Sequence, residues 1–141
     1  MADEARITSS LQILSSKLQY YSRPITFTGD VIGSKGGVPG AIAVALAGTN
    51  VDFSELTTPG YCRIQNLDDT NYVEYGIYDP ETYKFYPLGE LLAGETYVFR
   101  FSRNLAAEYG TGTGTTGAST NQFQLKAYGS ACDVLIEAFE K

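Results

Sequence analysis

Short runs in which apolar and polar residues alternate follow one another along the chain, separated by Gly, Pro, Asn and Asp. The clearest run is TYVFRFS, residues 96–102, where Tyr97, Phe99 and Phe101 form the apolar set. Alternation with period two places one set of side chains on a single face of a strand. The run therefore predicts a strand that turns these three rings toward a core.

Two further runs carry the same alternation. YVEYGIYD (72–79) predicts a strand, and DPET (79–82) has Asp and Pro where a tight turn favours them, so a hairpin to the following YKFYPL is expected. QFQLKA (122–127) predicts another strand, with Phe123 and Leu125 pointing inward.

Some segments allow two interpretations. CDVLIEAFE (132–140) is nearly continuous in apolar residues, which is typical of an inner strand, but its spacing also fits one face of a helix. The β-branched Val134 and Ile136 favour the strand. The glycines and proline of residues 33–40 predict a loop, and the apolar residues 41–48 that follow predict a strand.

The first thirty residues form a separate class. The runs 7–13, 17–22 and 25–32 are strand-prone but rich in Ser, Thr and Gln, with few bulky apolar residues for a core of their own. Such a segment serves either as an arm that adds a strand to a neighbour's sheet or as an edge hairpin of the same domain. We expect residues 1–30 to be this arm or hairpin and residues 31–141 to be the main domain.

The composition supports an all-β chain. Eleven Tyr and seven Phe among 141 residues suit strands, and the hydrophobic share of 43% is enough to build a core. A length near 150 residues is typical of one domain. The sequence predicts a single-domain antiparallel β-sandwich, jelly-roll-like, with an extended N-terminal arm.

Charge and the absence of histidine limit the chemistry. The net charge is −6 and the ten basic residues are scattered, which argues against a nucleic-acid partner. Without histidine, Ser-His-Asp or Cys-His catalysis and imidazole zinc sites are impossible. Asp79, Glu81, Glu90 and Glu95 offer carboxylates, but acidic turns are common on solvated surfaces. We expect no enzyme activity and no cofactor.

The run GTGTTG (112–117) matches the dinucleotide fingerprint G-x-G-x-x-G letter for letter. That motif works only between a buried strand and a helix, where the helix N-terminus meets a pyrophosphate. Here the residues that follow alternate like a strand, and no Gly-Lys-Ser/Thr of a P-loop occurs. We interpret residues 110–120 as a Gly/Thr loop that joins two strands, ordered, if at all, by a partner.

Two other candidate sites have a simpler structural interpretation. Cys62 and Cys132 are too few for a disulfide framework or a four-thiolate metal site, and we expect buried free thiols. NLDDTN (66–71) gathers Asp68 and Asp69 without the spacing of a calcium loop, so we expect a structural turn rather than a metal site.

The sequence also gives an expectation about location. No apolar run approaches the roughly 20 residues of a membrane-spanning helix. The N-terminus, MADEARITSS, is acidic and lacks the apolar region of a signal peptide. We expect a protein made in a cytoplasm that does not contact a membrane.

Tyrosines crowd into residues 72–86, where five occur within fifteen positions. Tyrosine is favoured at interfaces because it combines apolar area with a hydrogen-bonding tip, and the same ring can stack on a sugar. Cross-strand pairs within a sheet account for part of the cluster. The side chains expected at a partner interface are Ile7, Leu11, Ile13, Tyr20 and Tyr21 in the arm and Tyr78, Tyr83 and Tyr86 in the tyrosine-rich segment.

Taken together, two stretches resemble small tailed-bacteriophage virion proteins. Residues 57–104 carry a turn of the form NLD-x-TNYVE-x-G, then an aromatic-Pro-Leu strand, then L-x-x-GE before a VFR strand. The closing LKAYGSACDVLIEAFEK, within 123–141, is similar to their C-terminal strand. Ala93 stands where such proteins would be expected to have Pro. These are turn and strand motifs, so no catalytic residue carries over.

The resemblance implies a virion component, made in the host cytoplasm and assembled into a particle. We expect a capsid decoration protein that binds the assembled head in many copies, with the major capsid protein or other virion proteins as partners. Phage accessory proteins often act as trimers, so self-association is expected too. The alternatives are a tail or head–tail connector protein and, in a different class, a carbohydrate-binding β-sandwich module.

Overall fold

A computed structural model of the chain describes residues 5–31, 35–102 and 122–140. None of these residues lies in a helix. The described strands are β1 (Ala5–Ser9), β2 (Gln12–Leu14), β3 (Gln19–Tyr21), β4 (Ile25–Gly29), β5 (Gly36–Val44), β6 (Thr49–Asn50), β7 (Pro59–Asn66), β8 (Tyr72–Asp79), β9 (Lys84–Leu91), β10 (Thr96–Arg100), β11 (Gln122–Tyr128) and β12 (Cys132–Glu140).

The described residues fall into two compact units, one within Met1–Ile32 and one within Gly33–Lys141. The N-terminal unit contains two short antiparallel ladders, β1 with β4 and β2 with β3. The larger unit, called the body below, contains two four-stranded sheets. Each unit is built from antiparallel pairs.

The body is an antiparallel β-sandwich. One sheet has the order β10-β7-β12-β5 and the other β6-β11-β8-β9. The inward side chains of both sheets meet in one core cluster, whose fully buried members include Ile64, Val73, Leu125, Val134 and Ile136. The strand order is compatible with a jelly-roll-like arrangement, and the predicted all-β sandwich class is confirmed.

Period-two alternation predicted the central strands well. The expected strands at 72–79, 96–102 and 122–127 appear as β8, β10 and β11, and Phe123 and Leu125 are buried as expected. The run 132–140 is strand β12 rather than a helix. It pairs with β5 on one side and β7 on the other, so both of its edges are covered, and the face that carries Val134 and Ile136 is buried in the core.

The loop predicted for residues 33–40 is wrong over its described part. Strand β5 begins at Gly36 and pairs with β12 as far as Val44. The Val38–Pro39 peptide bond is cis, and Val38 packs into the core. Because β5 is an edge strand, its proline removes no hydrogen bond from the interior of the sheet. The glycines and proline therefore make β5 an edge strand with an irregular register instead of ending it.

The expected strand over 7–13 is also divided in two, since β1 ends at Ser9 and β2 begins at Gln12. The partners of these strands explain the break. Ser9 pairs with Ile25, whereas Gln12 pairs with Tyr21. Two residues on one side, 10 and 11, therefore oppose three on the other, 22–24, and the ladder is interrupted by this bulge.

Both cysteines are free and buried, as expected from the sequence. Burial, with a smaller contribution from the Glu137 carboxylate, raises the pKa of the Cys62 thiol to about 12. Burial likewise raises the pKa of Cys132. Both groups are therefore protonated and shielded at neutral pH.

We expect both thiols of the folded protein to react with a maleimide at pH 8 at least about tenfold more slowly than a free cysteine. The reason is that the maleimide reacts only with the thiolate form and must reach the sulfur atom. After unfolding in guanidinium, both should react at the ordinary rate, which mass spectrometry would count. Rapid labelling of either thiol in native buffer would contradict the buried placement.

Candidate functional site

The N-terminal unit is a long β-hairpin interrupted by the bulge, and its residues 5–29 are called the ribbon. Its ladders are nested, since β2 and β3 lie between β1 and β4 in sequence and pair with each other. Ser22 connects them: its N–H donates to the Leu11 carbonyl at 2.8 Å, and its Oγ accepts from the Leu11 N–H at 2.7 Å. The chain reverses where the Ser15 N–H donates to the Leu18 carbonyl at 3.0 Å.

The base of the ribbon, β1 with β4, has two different faces. Residues that pair directly across the ladder lie on the same face. One face is mainly apolar, because it carries the pairs Ile7–Phe27 and Ser9–Ile25. The other face is polar, and Thr8 and Thr26 are joined through their hydroxyl oxygens at 2.8 Å. An amphipathic ribbon of this kind is built to cover something apolar.

No residue described in the ribbon is buried. Its exposed large apolar side chains are Leu11, Leu14, Leu18, Tyr20, Tyr21, Ile25 and Phe27, with Leu14 as much as 79% exposed. A two-stranded hairpin is at best marginally stable alone in water, and contiguous apolar patches of monomers mark interaction sites. The ribbon is therefore the strongest candidate for a binding element among the described residues.

The structure places the predicted arm residues on both sides of the ribbon. Ile13 and Tyr20 face each other across β2 and β3, whereas Tyr21 pairs with Gln12 on the opposite face. Leu11, Tyr20 and Tyr21 are exposed, and Ile7 and Ile13 are half-buried. The apolar face of β4 was missed from the sequence, although the alternation of ITFTG carries the signal for Ile25 and Phe27.

The predicted tyrosines of the body do not form one patch. Tyr78 pairs with Phe85 and Tyr86 with Ile77, so Tyr78 and Tyr86 lie on opposite faces of their sheet. Tyr83 is at the hairpin turn, 81% exposed, with a left-handed φ of 55°. A bulky residue in that conformation costs about 1 kcal/mol or more, which marks the turn as unusual.

One other tyrosine of the cluster, Tyr72, makes its ring contact within the body. Tyr72 stacks on Tyr128 directly across the β8–β11 ladder, with ring centroids 4.8 Å apart. The Tyr128 hydroxyl donates to a Glu74 carboxylate oxygen at 2.6 Å, and this bond raises the pKa of Tyr128 to about 12. The expected cross-strand aromatic pairing is confirmed for Tyr72, which leaves fewer tyrosines for a partner.

A second candidate site is an aromatic cleft in the body, where the open edges β9 and β10 of the two sheets meet. Its volume is about 280 Å³. Its aromatic and aliphatic lining includes Tyr75, Ile77, Leu88, Tyr97, Phe99 and Phe123. Leu88 and Tyr97 are exposed at its rim. The expected inward orientation of Tyr97 and Phe99 thus produces a cleft rather than closed core.

The rings of the cleft stack on one another. Tyr75 lies 5.9 Å from Tyr97 and 6.3 Å from Phe99 between ring centroids, and Tyr97 and Phe99 are 5.6 Å apart. Burial raises the pKa of the Tyr75 hydroxyl, so it stays neutral at physiological pH. Arg100, at the margin, holds its guanidinium over the Tyr61 ring at 5.0 Å. The cleft is suited to apolar or aromatic groups.

The acidic turn after β7 has a structural role, as expected. Asp68 Oδ1 accepts from the N–H groups of Thr70 at 2.8 Å and Asn71 at 2.6 Å, and these bonds lower the pKa of the Asp68 carboxyl. Among the residues described, no three Cys, Asp or Glu side chains are grouped to hold a metal ion. The turn therefore closes on its own backbone.

Asn66, which sequence reasoning passed over, is the one fully buried polar side chain of the described body. Its Nδ2 donates to the carbonyls of Asn71 at 2.9 Å and of Leu91 and Leu92 at 3.2 Å each. Its Oδ1 accepts from the Asp68 N–H at 3.0 Å. Asn66 thus ties the end of β7 to the turn before β8 and to the end of β9.

The glycine run 112–117 and the loop expected at 110–120 lie outside the described residues. Within the described part, no helix is long and apolar enough to cross a membrane. Comparisons with protein-family models, with curated proteins and with solved structures found no match.

Proposed function

We propose that this protein is a non-enzymatic structural component of a tailed-phage virion, a capsid decoration protein that binds the assembled head in many copies. The observation that carries the proposal is the ribbon, which exposes large apolar side chains without a core of its own. Residues 57–104 and 123–141 resemble small virion proteins, and from this resemblance we infer that the partner of the ribbon is another virion protein.

The tip of the ribbon is the part that would contact the head surface. Leu14 and Tyr21 are exposed on the β2–β3 ladder, and Leu18 is exposed in the turn between them. Tyrosine and large apolar side chains supply much of the binding energy at interfaces once a partner excludes water from them. On a symmetric lattice, many such contacts act together, so each can be modest.

Exchanging the tip side chains for polar ones should weaken binding to particles that lack this protein. We expect the double variant Leu14→Ser and Tyr21→Ser to bind at least about 30-fold more weakly, which corresponds to about 2 kcal/mol. Co-sedimentation with particles measures it. Thr8→Ala with Thr26→Ala, on the polar face of the base, is the matched control and should bind normally. Equal binding by the tip variant and the control would overturn the ribbon's role.

Copy number separates decoration from the alternative of a tail or connector protein. Quantitative mass spectrometry of purified particles should find this chain at the same order of abundance as the major capsid protein. Abundance far below that level would favour the tail or connector. Absence from particles would overturn the proposal altogether.

The aromatic cleft supports a second candidate, a carbohydrate-binding module. Tyr75 and Tyr97 offer ring faces on which a sugar could stack, but few hydrogen-bonding side chains line the cleft beside them. Tyrosine fluorescence during titration with mixed oligosaccharides tests this directly. Saturable quenching that Tyr97→Ala removes would favour the module.

A further inference from the structure

Strand β10 presents an open edge beside the aromatic cleft. It pairs with β7 on one side, and no described strand pairs with its other side. The Phe101 N–H donates to the Gly60 carbonyl at 2.9 Å and the Glu95 carbonyl accepts from Asn66, so the odd-numbered residues direct their main-chain groups toward β7. By alternation, Val98 and Arg100 direct theirs to the open edge, where an added strand can bond to them.

The cleft next to this edge has room for side chains of an added strand. An apolar cavity of about 150 Å³ holds a benzene ring, so 280 Å³ accommodates one aromatic ring and one branched aliphatic side chain. The aromatic lining and this volume therefore fit two consecutive inward side chains of a strand.

Strand β4 of the ribbon has the matching features. It is five residues long, like β10, and it pairs with β1 on one side only within the described residues. On its apolar face lie Ile25 and Phe27, which are 66% and 45% exposed. These are one branched aliphatic and one aromatic side chain, two positions apart as a strand requires to direct both into one cleft.

Charge favours the same pairing. Residues 5–31 hold three basic side chains, Arg6, Lys17 and Arg23, against one acidic, Asp30. The described residues of the body, 35–102 and 122–140, hold five basic and twelve acidic side chains. Near the cleft, Glu90 lies on β9 and Glu95 just before β10, and the basic Arg100 at the cleft is held over the Tyr61 ring. Arg23 lies just before β4. Complementary charge of this kind orients association and speeds it.

We infer that β4 of one copy adds to the open edge of β10 in a second copy and places Phe27 and Ile25 in the second copy's aromatic cleft. The inference rests on the proposed function, in which many copies lie side by side on a lattice. It assigns the base of the ribbon to the neighbouring copy and leaves the tip for the head. Such a contact is head-to-tail, so it closes into a ring or continues along the lattice.

Disulfide trapping between two full-length variants tests the contact. Phe27→Cys in one preparation and Leu88→Cys in another, tagged to differ in mass, are mixed and mildly oxidised. We expect a linked species containing one chain of each variant, formed at least about tenfold faster than with the control Thr26→Cys, on the polar face of β4. The native cysteines are buried and should not form disulfide bonds under these conditions. Equal linking by the control, or none by Phe27→Cys, would overturn the inference.

The double variant Phe27→Cys with Leu88→Cys in one chain distinguishes a second copy from the chain's own ribbon. Linked dimers and larger species at high protein concentration support the contact between copies. A bond that forms only within monomers, independent of concentration, would overturn it.

Self-association of a ribbon variant separates this inference from the proposed function. Phe27→Glu leaves the body intact, so the variant should fold; it should weaken self-association in sedimentation about 30-fold or more, and Phe27→Leu should restore most of it. If purified particles lack this chain while the disulfide link still forms, the proposed function fails and the contact stands. If Phe27→Glu self-associates like the unmodified chain, the contact fails regardless of particle binding.

Discussion

Replacement of Asn66 by alanine is expected to destabilise the body by about 3 kcal/mol, one of the largest effects of any single polar substitution in the described residues. The amide is fully buried and donates to three carbonyls. Alanine removes the shared donor from the three carbonyls, of which Leu92 keeps the Glu95 N–H, and takes the acceptor from the Asp68 N–H. Guanidinium unfolding followed by circular dichroism would measure the loss.

Asn66→Asp is the matched control, because it keeps the shape and the acceptor but replaces the donating amide. The new carboxylate would face the carbonyls of Leu91 and Leu92, and both burial and this repulsion would raise its folded pKa above its unfolded value. A raised folded pKa contributes stability at low pH that is lost as the pH rises. Asn66→Asp should therefore be distinctly less stable at pH 8 than at pH 5, relative to the unmodified chain. A pH-independent difference would mean that the amide's donors matter little.

The central strands were predictable because burial of one face imposes a pattern on the sequence. In β11, Phe123 and Leu125 face the core and Lys126 does not, so the six residues 122–127 are enough to show the period-two pattern of a strand. Strand β12 could be separated from a helix by Val134 and Ile136, since β-branched residues fit a covered, pleated sheet. Local pattern was enough for β8, β10, β11 and β12.

Where local chemistry and tertiary pairing disagree, the sequence was misleading. Gly37, Val38 and Pro39 look like a loop, but pairing with β12 keeps them in β5 and the edge position tolerates the proline. The role of Asn66 was invisible for a related reason. Its partners Leu91 and Leu92 are about 25 residues away, and no periodicity links them.

The candidate site could be predicted only in part. The strand-prone, core-poor composition of the first thirty residues pointed to a binding element, and Leu11, Tyr20 and Tyr21 are exposed there. The cleft was not predictable, because it depends on β9 and β10 being the edges of two different sheets. Alternation turns Tyr97 inward in any strand, but only the strand order shows that nothing described covers it.

Gly76→Ala is expected to have the other large effect on stability, about 3 kcal/mol or more, because the new methyl group would meet backbone rather than side chain. Gly76 is buried in β8 between β9 and β11. A Cβ there would press against the Tyr86 carbonyl oxygen and the Cα of Pro87. Since backbone cannot rotate away, β9 must move and lose part of its ladder. The midpoint temperature of thermal unfolding should fall by about 10 °C or more.

Gly89→Ala is the matched control one strand away. There the added Cβ would meet the ring end of Tyr75, a side chain that can rotate. We expect a loss below about 1.5 kcal/mol, together with a change in near-ultraviolet circular dichroism as Tyr75 leaves its stack with Tyr97. Because β9 forms one rim of the cleft, Gly76→Ala should also reduce self-association through the ribbon even where the body stays folded. Equal stability of the two alanine variants would show that β9 is not held against β8 at Gly76 as closely as the ladder implies.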